Sequence, residues 1–166
     1  MLNLLGKSAA RKQQAASLYD GLVSRAREPV FFSGLGVADS LDGRFDLLVL
    51  HAWLVLAALK GAPLAQDLTN MIFTGFDEAM REHGAGDMGI GHKLKAMANA
   101  FYGRLAAYDA AKTEQELAAA LARNLWRGGA VDDRALVLAG YAARAGQSLS
   151  RSLPAEALDF GPLPTI

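Results

Sequence analysis

The run Phe45-Asp46-Leu47-Leu48-Val49-Leu50-His51-Ala52-Trp53-Leu54-Val55-Leu56-Ala57-Ala58-Leu59 is apolar everywhere except at Asp46 and His51. A surface helix keeps a polar face, so a segment apolar all round has to be enclosed by neighbours. A bilayer would also enclose it, but the run falls short of the roughly 20 residues that a spanning helix needs. The solution left is a buried helix at the centre of the core, and the other segments are what must cover it.

Those segments read as helices. Ala15, Leu18, Leu22 and Ala26 recur every three or four positions, with Arg11, Lys12 and Arg25 off the stripe, and Pro29 ends that first helix. Phe31-Phe32-Ser33-Gly34-Leu35-Gly36-Val37 mixes bulky groups with glycine, which predicts an irregular, well-packed connection containing a helical turn. Arg44 is expected to begin the central helix, and Gly61-Ala62-Pro63 to break it and start a third, proline being tolerated in a first turn. Leu64, Leu68, Ile72 and Phe76 step by four, with Met71, Ala79 and Met80 widening the stripe and Gly84 as the stop. After a glycine-rich bridge, Leu94, Met97, Phe101, Leu105 and Tyr108 trace a fourth helix. Thr113-Glu114-Gln115-Glu116 has the capping-box pattern, in which the threonine hydroxyl takes the N3 amide and Glu116 reaches back to the cap amide. Leu117, Leu121 and Leu125 follow it, Gly128-Gly129 stops this fifth helix, and Asp132-Asp133 can cap a sixth through Leu138, Tyr141, Ala142 and Leu149.

No segment alternates with the period of a strand between hairpin turns. The fold class expected is therefore all-α, a compact irregular or orthogonal bundle of about six helices. A chain of 166 residues suits a single domain, expected over 9–153, with 1–8 as a flexible N-terminus and 154–166 as a Pro-rich C-terminal tail.

Seventeen basic residues balance seventeen acidic ones, so no global field draws in nucleic acid or anionic lipid. The absence of cysteine removes disulfides, thiolate metal sites and cysteine nucleophiles, and fits a reducing compartment with the cytoplasm as default. Met1 to Lys7 is only briefly apolar and has no basic region before it, which does not read as a secretory signal.

Gly84-Ala85-Gly86-Asp87-Met88-Gly89 matches the dinucleotide-binding string, with Asp109 downstream, yet it lies between two amphipathic helices and not in a strand-turn-helix unit. Its glycines read as helix ends. His51, His83 and His92 form no metal-ligand spacing, and His51 in its apolar surroundings reads as a hydrogen-bonded core residue before a haem ligand. Asp77 and Arg81 sit one turn apart on the third helix, as a solvated pair or, with Asp87, as part of a polar rim around a groove. Tyr102 and Arg104 lie off the core stripe of the fourth helix, and both residue types are enriched where proteins bind proteins. No nucleophile motif or paired-carboxylate arrangement is legible, so no catalytic residue, cofactor or metal is assigned and the chain is not expected to be an enzyme.

Asp42-Gly43-Arg44 followed by Phe45 to His51 resembles the GRFDLLVLH segment of the ubiquinol-cytochrome c chaperone family. Arg81-Glu82-His83-Gly84-Ala85-Gly86-Asp87 is similar to that family's RExGxGD turn, and Ala100-Phe101-Tyr102-Gly103-Arg104-Leu105-Ala106-Ala107-Tyr108-Asp109 to its AFYGRxxAYD helix. These come in the family's order. With Leu18-Tyr19, Ala26-Arg27-Glu28-Pro29 and Leu117 to Leu125, the resemblance covers about residues 15 to 127. It implies a non-enzymatic assembly factor that binds newly made cytochrome b, or another membrane-protein client, while the cytochrome bc complex is built, with a small partner chaperone. The chain looks like the bacterial form, cytoplasmic or peripheral to the inner membrane. The surface expected to hold the client is the turn before the fourth helix and that helix itself, with Asp77, Arg81, Asp87, Tyr102, Arg104 and Tyr108 as candidates. The rival reading is a helical carrier or sensor of quinone or haem.

Overall fold

A computed structural model describes residues 2–84, 86–154 and 157–166, excluding the side chains of residues 2–5 and of Asp87. It contains six α-helices and, among the described residues, no strand: α1 (Leu2–Ala26), α2 (Leu41–Ala58), α3 (Pro63–Glu82), α4 (Asp87–Ala110), α5 (Glu114–Leu125) and α6 (Asp133–Ser152). The all-α class and the helix number expected from periodicity are what the chain adopts.

The apolar run is the centre. Leu47, Val49, Leu50, Ala52, Leu54 and Val55 of α2 are buried, and α1, α4, α5 and α6 all pack on this helix. It begins at Leu41, earlier than expected, because Ser40 caps it by accepting from the Gly43 amide at 3.2 Å. Such a cap contributes about 1 kcal/mol.

α1 lies along α3, where Arg11 pairs with Asp67. The crossing is close enough that a β-carbon on Gly75 would overlap the Tyr19 hydroxyl. Helix α1 extends back to Leu2, so it takes in residues read from sequence as a flexible N-terminus.

Between α1 and α2 the expected irregular connection is a π-helical turn, Val30–Gly34, which carries Phe31 into the core. Pro63 occupies the first turn of α3, as predicted. Thr113 caps α5 by accepting from the Glu116 amide at 3.1 Å, but the Glu116 carboxylate takes the Lys112 amide at 2.6 Å instead of the cap amide. Asp132 caps α6 through the Arg134 and Ala135 amides.

The glycine-rich bridge expected before α4 is largely helix. Gly89 and Gly91 lie inside α4, each at a propensity cost of about 1 kcal/mol against alanine, which is why the pattern concealed them. Buried Ile90 ties this end down.

Residues 157–166, in the Pro-rich C-terminal tail, are non-helical, as their prolines dictate, and form a strap. Phe160 is buried, the Arg25 guanidinium lies 5.4 Å over its ring, and Arg25 Nη2 donates to the Gly161 carbonyl at 2.7 Å. Ser148 donates to Asp159 at 2.9 Å, fixing the strap to α6.

Under the strap sits His51, with ring contacts to Phe31 at 5.2 Å, Tyr141 at 5.8 Å and Phe160 at 5.3 Å. Its Nδ1 is 2.7 Å from the Leu47 carbonyl, which can only accept, so Nδ1 carries the proton and Nε2 accepts from the Tyr141 hydroxyl at 3.0 Å. Burial holds this imidazole neutral, pushed down to about 4. It is the satisfied core histidine that the sequence suggested, and no ring nitrogen remains for an iron.

Candidate functional site

The α3–α4 hairpin is built round an aromatic wall. Phe73 and Phe76 of α3 meet Phe101 and Tyr102 of α4, and Phe45 of α2 closes the cluster against Phe76 at 5.3 Å. Tyr102 stacks on Phe73 with centroids 5.9 Å apart, and such pairs are worth about 0.5–1.5 kcal/mol beyond burial. Phe101 is fully enclosed, whereas Tyr102 is 53% exposed, an aromatic surface resting on a rigid base.

Phe73, Asp77 and Arg81 step by four along α3 and so share one face. Arg81 Nε donates to Asp77 at 2.9 Å, a surface pair one turn from the Phe73–Tyr102 stack. The first half of α4 rises beyond it with Met88 fully exposed and, among the described side chains, only Ile90 buried before Phe101. Asp87 lies outside the residues whose side chains are described.

Arg104 is elsewhere. Two positions along a helix turn the side chain by about 200°, so Tyr102 faces α3 while Arg104 faces α2. There its guanidinium lies 5.2 Å over the Phe45 ring, donates to the Ala100 carbonyl at 3.2 Å, and sits 2.7 Å from the Asp46 carboxylate. Asp46 is fully buried, and Arg127 approaches its other oxygen at 3.1 Å. Although the separations are those of ion pairs, the N–H groups point off the lines to the oxygens. Neither carboxylate oxygen nor Arg104 Nε is therefore in a directed hydrogen bond. Burial raises the Asp46 carboxyl, and the two arginines oppose the rise.

Tyr108 is a core residue, packed on Trp53 at 5.4 Å, with its hydroxyl accepting from Asn124 at 3.4 Å and pushed up to about 12 by desolvation. Trp53 donates to Asp109 at 2.8 Å. Asp109, downstream of the dinucleotide-like string, is thus a tryptophan acceptor. Of the string itself, Gly84 closes α3 with φ 78°, Gly86 is the N-cap of α4 and Ala85 lies outside the described residues. His83 donates from Nδ1 to the Ala79 carbonyl at 2.8 Å, a helix-end role.

The structure thus joins Asp77, Arg81 and Tyr102 on one flank of α4, puts Arg104 on the other, and encloses Tyr108. Sequence reading passed over Asp46 and Arg127. A carboxylate inside an all-apolar helix demands a cation from elsewhere, and that was the available signal for Asp46. Arg127 had none, because its partner is remote in sequence.

With no helix among the described residues long and apolar enough to cross a membrane, the chain is a helical bundle carrying an aromatic, polar-edged outer face. The sequence model of the ubiquinol-cytochrome C chaperone family matches residues 33–162, and the chain belongs to that family. Its fold matches a crystal structure of the Cbp3 homolog from Brucella abortus with a TM-score of 0.81 and 34% identity, over 100% of this chain and 97% of the other. Among curated protein sequences, none matches. The family is one of chaperones, which implies a role without catalysis and a client among the proteins of the ubiquinol-cytochrome c reductase.

Proposed function

We propose that this chain is a non-enzymatic assembly chaperone that holds newly made cytochrome b, at the inner face of the membrane, while the cytochrome bc complex is built. Tyr102 supports the reading most directly: a half-exposed ring stacked on Phe73, with the Asp77–Arg81 pair one turn away. Aromatic anchors ringed by polar groups are how proteins hold proteins. Asp77, Arg81 and Tyr102 are the client-facing residues, with Asp87 beside them in sequence at the start of α4. Arg104 and Tyr108 act from behind, by fixing α4 on α2 and α5. A client must be released once assembled, so the surface needs moderate affinity and a fast off-rate, which a small aromatic platform gives and a large apolar groove does not.

The experiment is a pull-down with the tagged protein from its own cells, after membranes are solubilised in mild detergent. Cytochrome b or its partner subunits should be recovered, together with any small second chaperone, and should be lost on Arg81→Glu or Tyr102→Glu while the helical circular dichroism is unchanged. Undiminished recovery with both variants would move the client elsewhere on the molecule. Recovery of unrelated soluble proteins alone would end the cytochrome b reading.

A further inference from the structure

The flank of α4 opposite Tyr102 holds a charge cluster that packing alone leaves incomplete. A carboxylate can accept about four hydrogen bonds, and one removed from water normally takes them. Asp46, enclosed on all sides, takes none that is directed. Arg104 cannot supply more, because Phe45 and the Ala100 carbonyl fix its guanidinium.

The other partner is held differently. Arg127 has φ 58°, the left-handed region, at the position just past α5 where glycine is the usual residue. Glycine is one place further on, and the Gly128 amide closes the helix end on the Arg123 carbonyl at 3.2 Å. An arginine therefore stands in the strained position, with its guanidinium about half exposed and divided among Asp46 at 3.1 Å, Asp42 at 3.5 Å and the Asn124 carbonyl at 3.1 Å. It can swing into solvent without moving any helix. Once it does, Asp46 and the exposed Asp42 face Arg104 alone, two carboxylates against one guanidinium.

We propose that Asp46 is the floor of a binding site for the guanidinium of an arginine in a bound protein segment, with Arg127 as the counterion that gives way. A planar fork offers a carboxylate two parallel hydrogen bonds, the directed contacts that Asp46 lacks. The inference rests on the client reading above, and a membrane-protein client suits it, since loops on the side of synthesis carry an excess of Lys and Arg.

The probe is N-acetyl-arginine amide, titrated into the full chain labelled with ¹³C and ¹⁵N, while the Asp46 carboxyl carbon and the Arg127 Nε are followed. Saturable shifts at both are expected, at about millimolar affinity. Arg127→Gly, which removes the competing counterion, should bind about tenfold tighter, and Asp46→Asn should abolish the response. Asp42→Asn, at the exposed rim, should weaken binding and serves if Asp46→Asn fails to fold. The neutral analogue N-acetyl-citrulline amide should give no shift. Equal affinity in wild type and Arg127→Gly, shifts at Asp46 no tighter than those at exposed carboxylates, or silence at Asp46 would overturn the site. Cytochrome b captured by a chain whose arginine titration is silent would remove this site and leave the client reading. Saturable arginine binding without capture of any bc-complex subunit would do the reverse.

Discussion

Acidification should destabilise this protein through His51, over a window fixed by where the imidazole sits. In the unfolded chain the ring titrates near 6.5, whereas the buried ring is pushed down to about 4. Above 6.5 both states are neutral, and His51 makes stability neither rise nor fall with pH. Between 6.5 and 4 the unfolded chain binds a proton that the core excludes, so stability falls as pH falls, by up to about 1.4 kcal/mol per unit. Below 4 both states carry the proton and the loss levels off. The window amounts to about 3 kcal/mol, a large part of the about 5–15 kcal/mol that holds a domain folded. Asp46 works in the opposite direction, since its raised carboxyl takes up a proton in the fold first. The lowered carboxyls of Asp39, Asp132 and Asp159 contribute losses only as pH falls below their ordinary 3.8. The assay is urea unfolding followed by circular dichroism from about pH 7.5 to about pH 4.5, on wild type and His51→Gln. Glutamine can donate to the Leu47 carbonyl and accept from Tyr141, but it cannot titrate. Its stability curve should lack the His51 slope while keeping the contributions of the shifted carboxyls. Parallel curves for the two proteins would refute the argument.

Three further outcomes follow from the packing. Arg104→Met should cost about 3–5 kcal/mol by leaving the enclosed Asp46 uncompensated, and adding Asp46→Asn should restore most of it; additive losses in denaturant unfolding would dissolve the pair. Phe160→Ala should cost about 3–5 kcal/mol in the same assay, and should raise the His51 pKa measured by NMR as water reaches the ring. Gly75→Ala should lose about 1–3 kcal/mol to the overlap with Tyr19, where an open helical position would gain about 1 kcal/mol; the loss should vanish in a Tyr19→Ala background.

Local chemistry made the helices legible. Stripes at three and four, a proline in a first turn, and Thr113 and Asp132 before apolar runs each state their role within a few residues, and α3, α5 and α6 follow them. Where structure depends on remote partners, the pattern was silent. Gly89 and Gly91 look like linker until Ile90 between them is seen buried. The strap looks like a tail because prolines say only what it cannot form, while Phe160 is ordered by α1 and α6. The candidate site divided the same way. Asp77 and Arg81 were readable as a pair because they lie one turn apart. For Arg104 the stripe gives only a place off the core face, because its partner, Asp46, belongs to another helix. Tyr108 is a binding candidate by residue type, although its place on the core stripe of α4 implies the burial it shows.

The surroundings of His51 also govern how this domain reaches its fold. Helical proteins fold quickly because most of their contacts are between near neighbours in sequence. Here the central ring is closed off by Phe31, Tyr141 and Phe160, and its bond to the Tyr141 hydroxyl spans 90 residues. The helices can form on local contacts alone, but the imidazole stays wet until α6 and the strap dock on it. Drying that ring completes last, so acid that protonates the wet ring leaves the folding rate nearly unchanged and speeds unfolding.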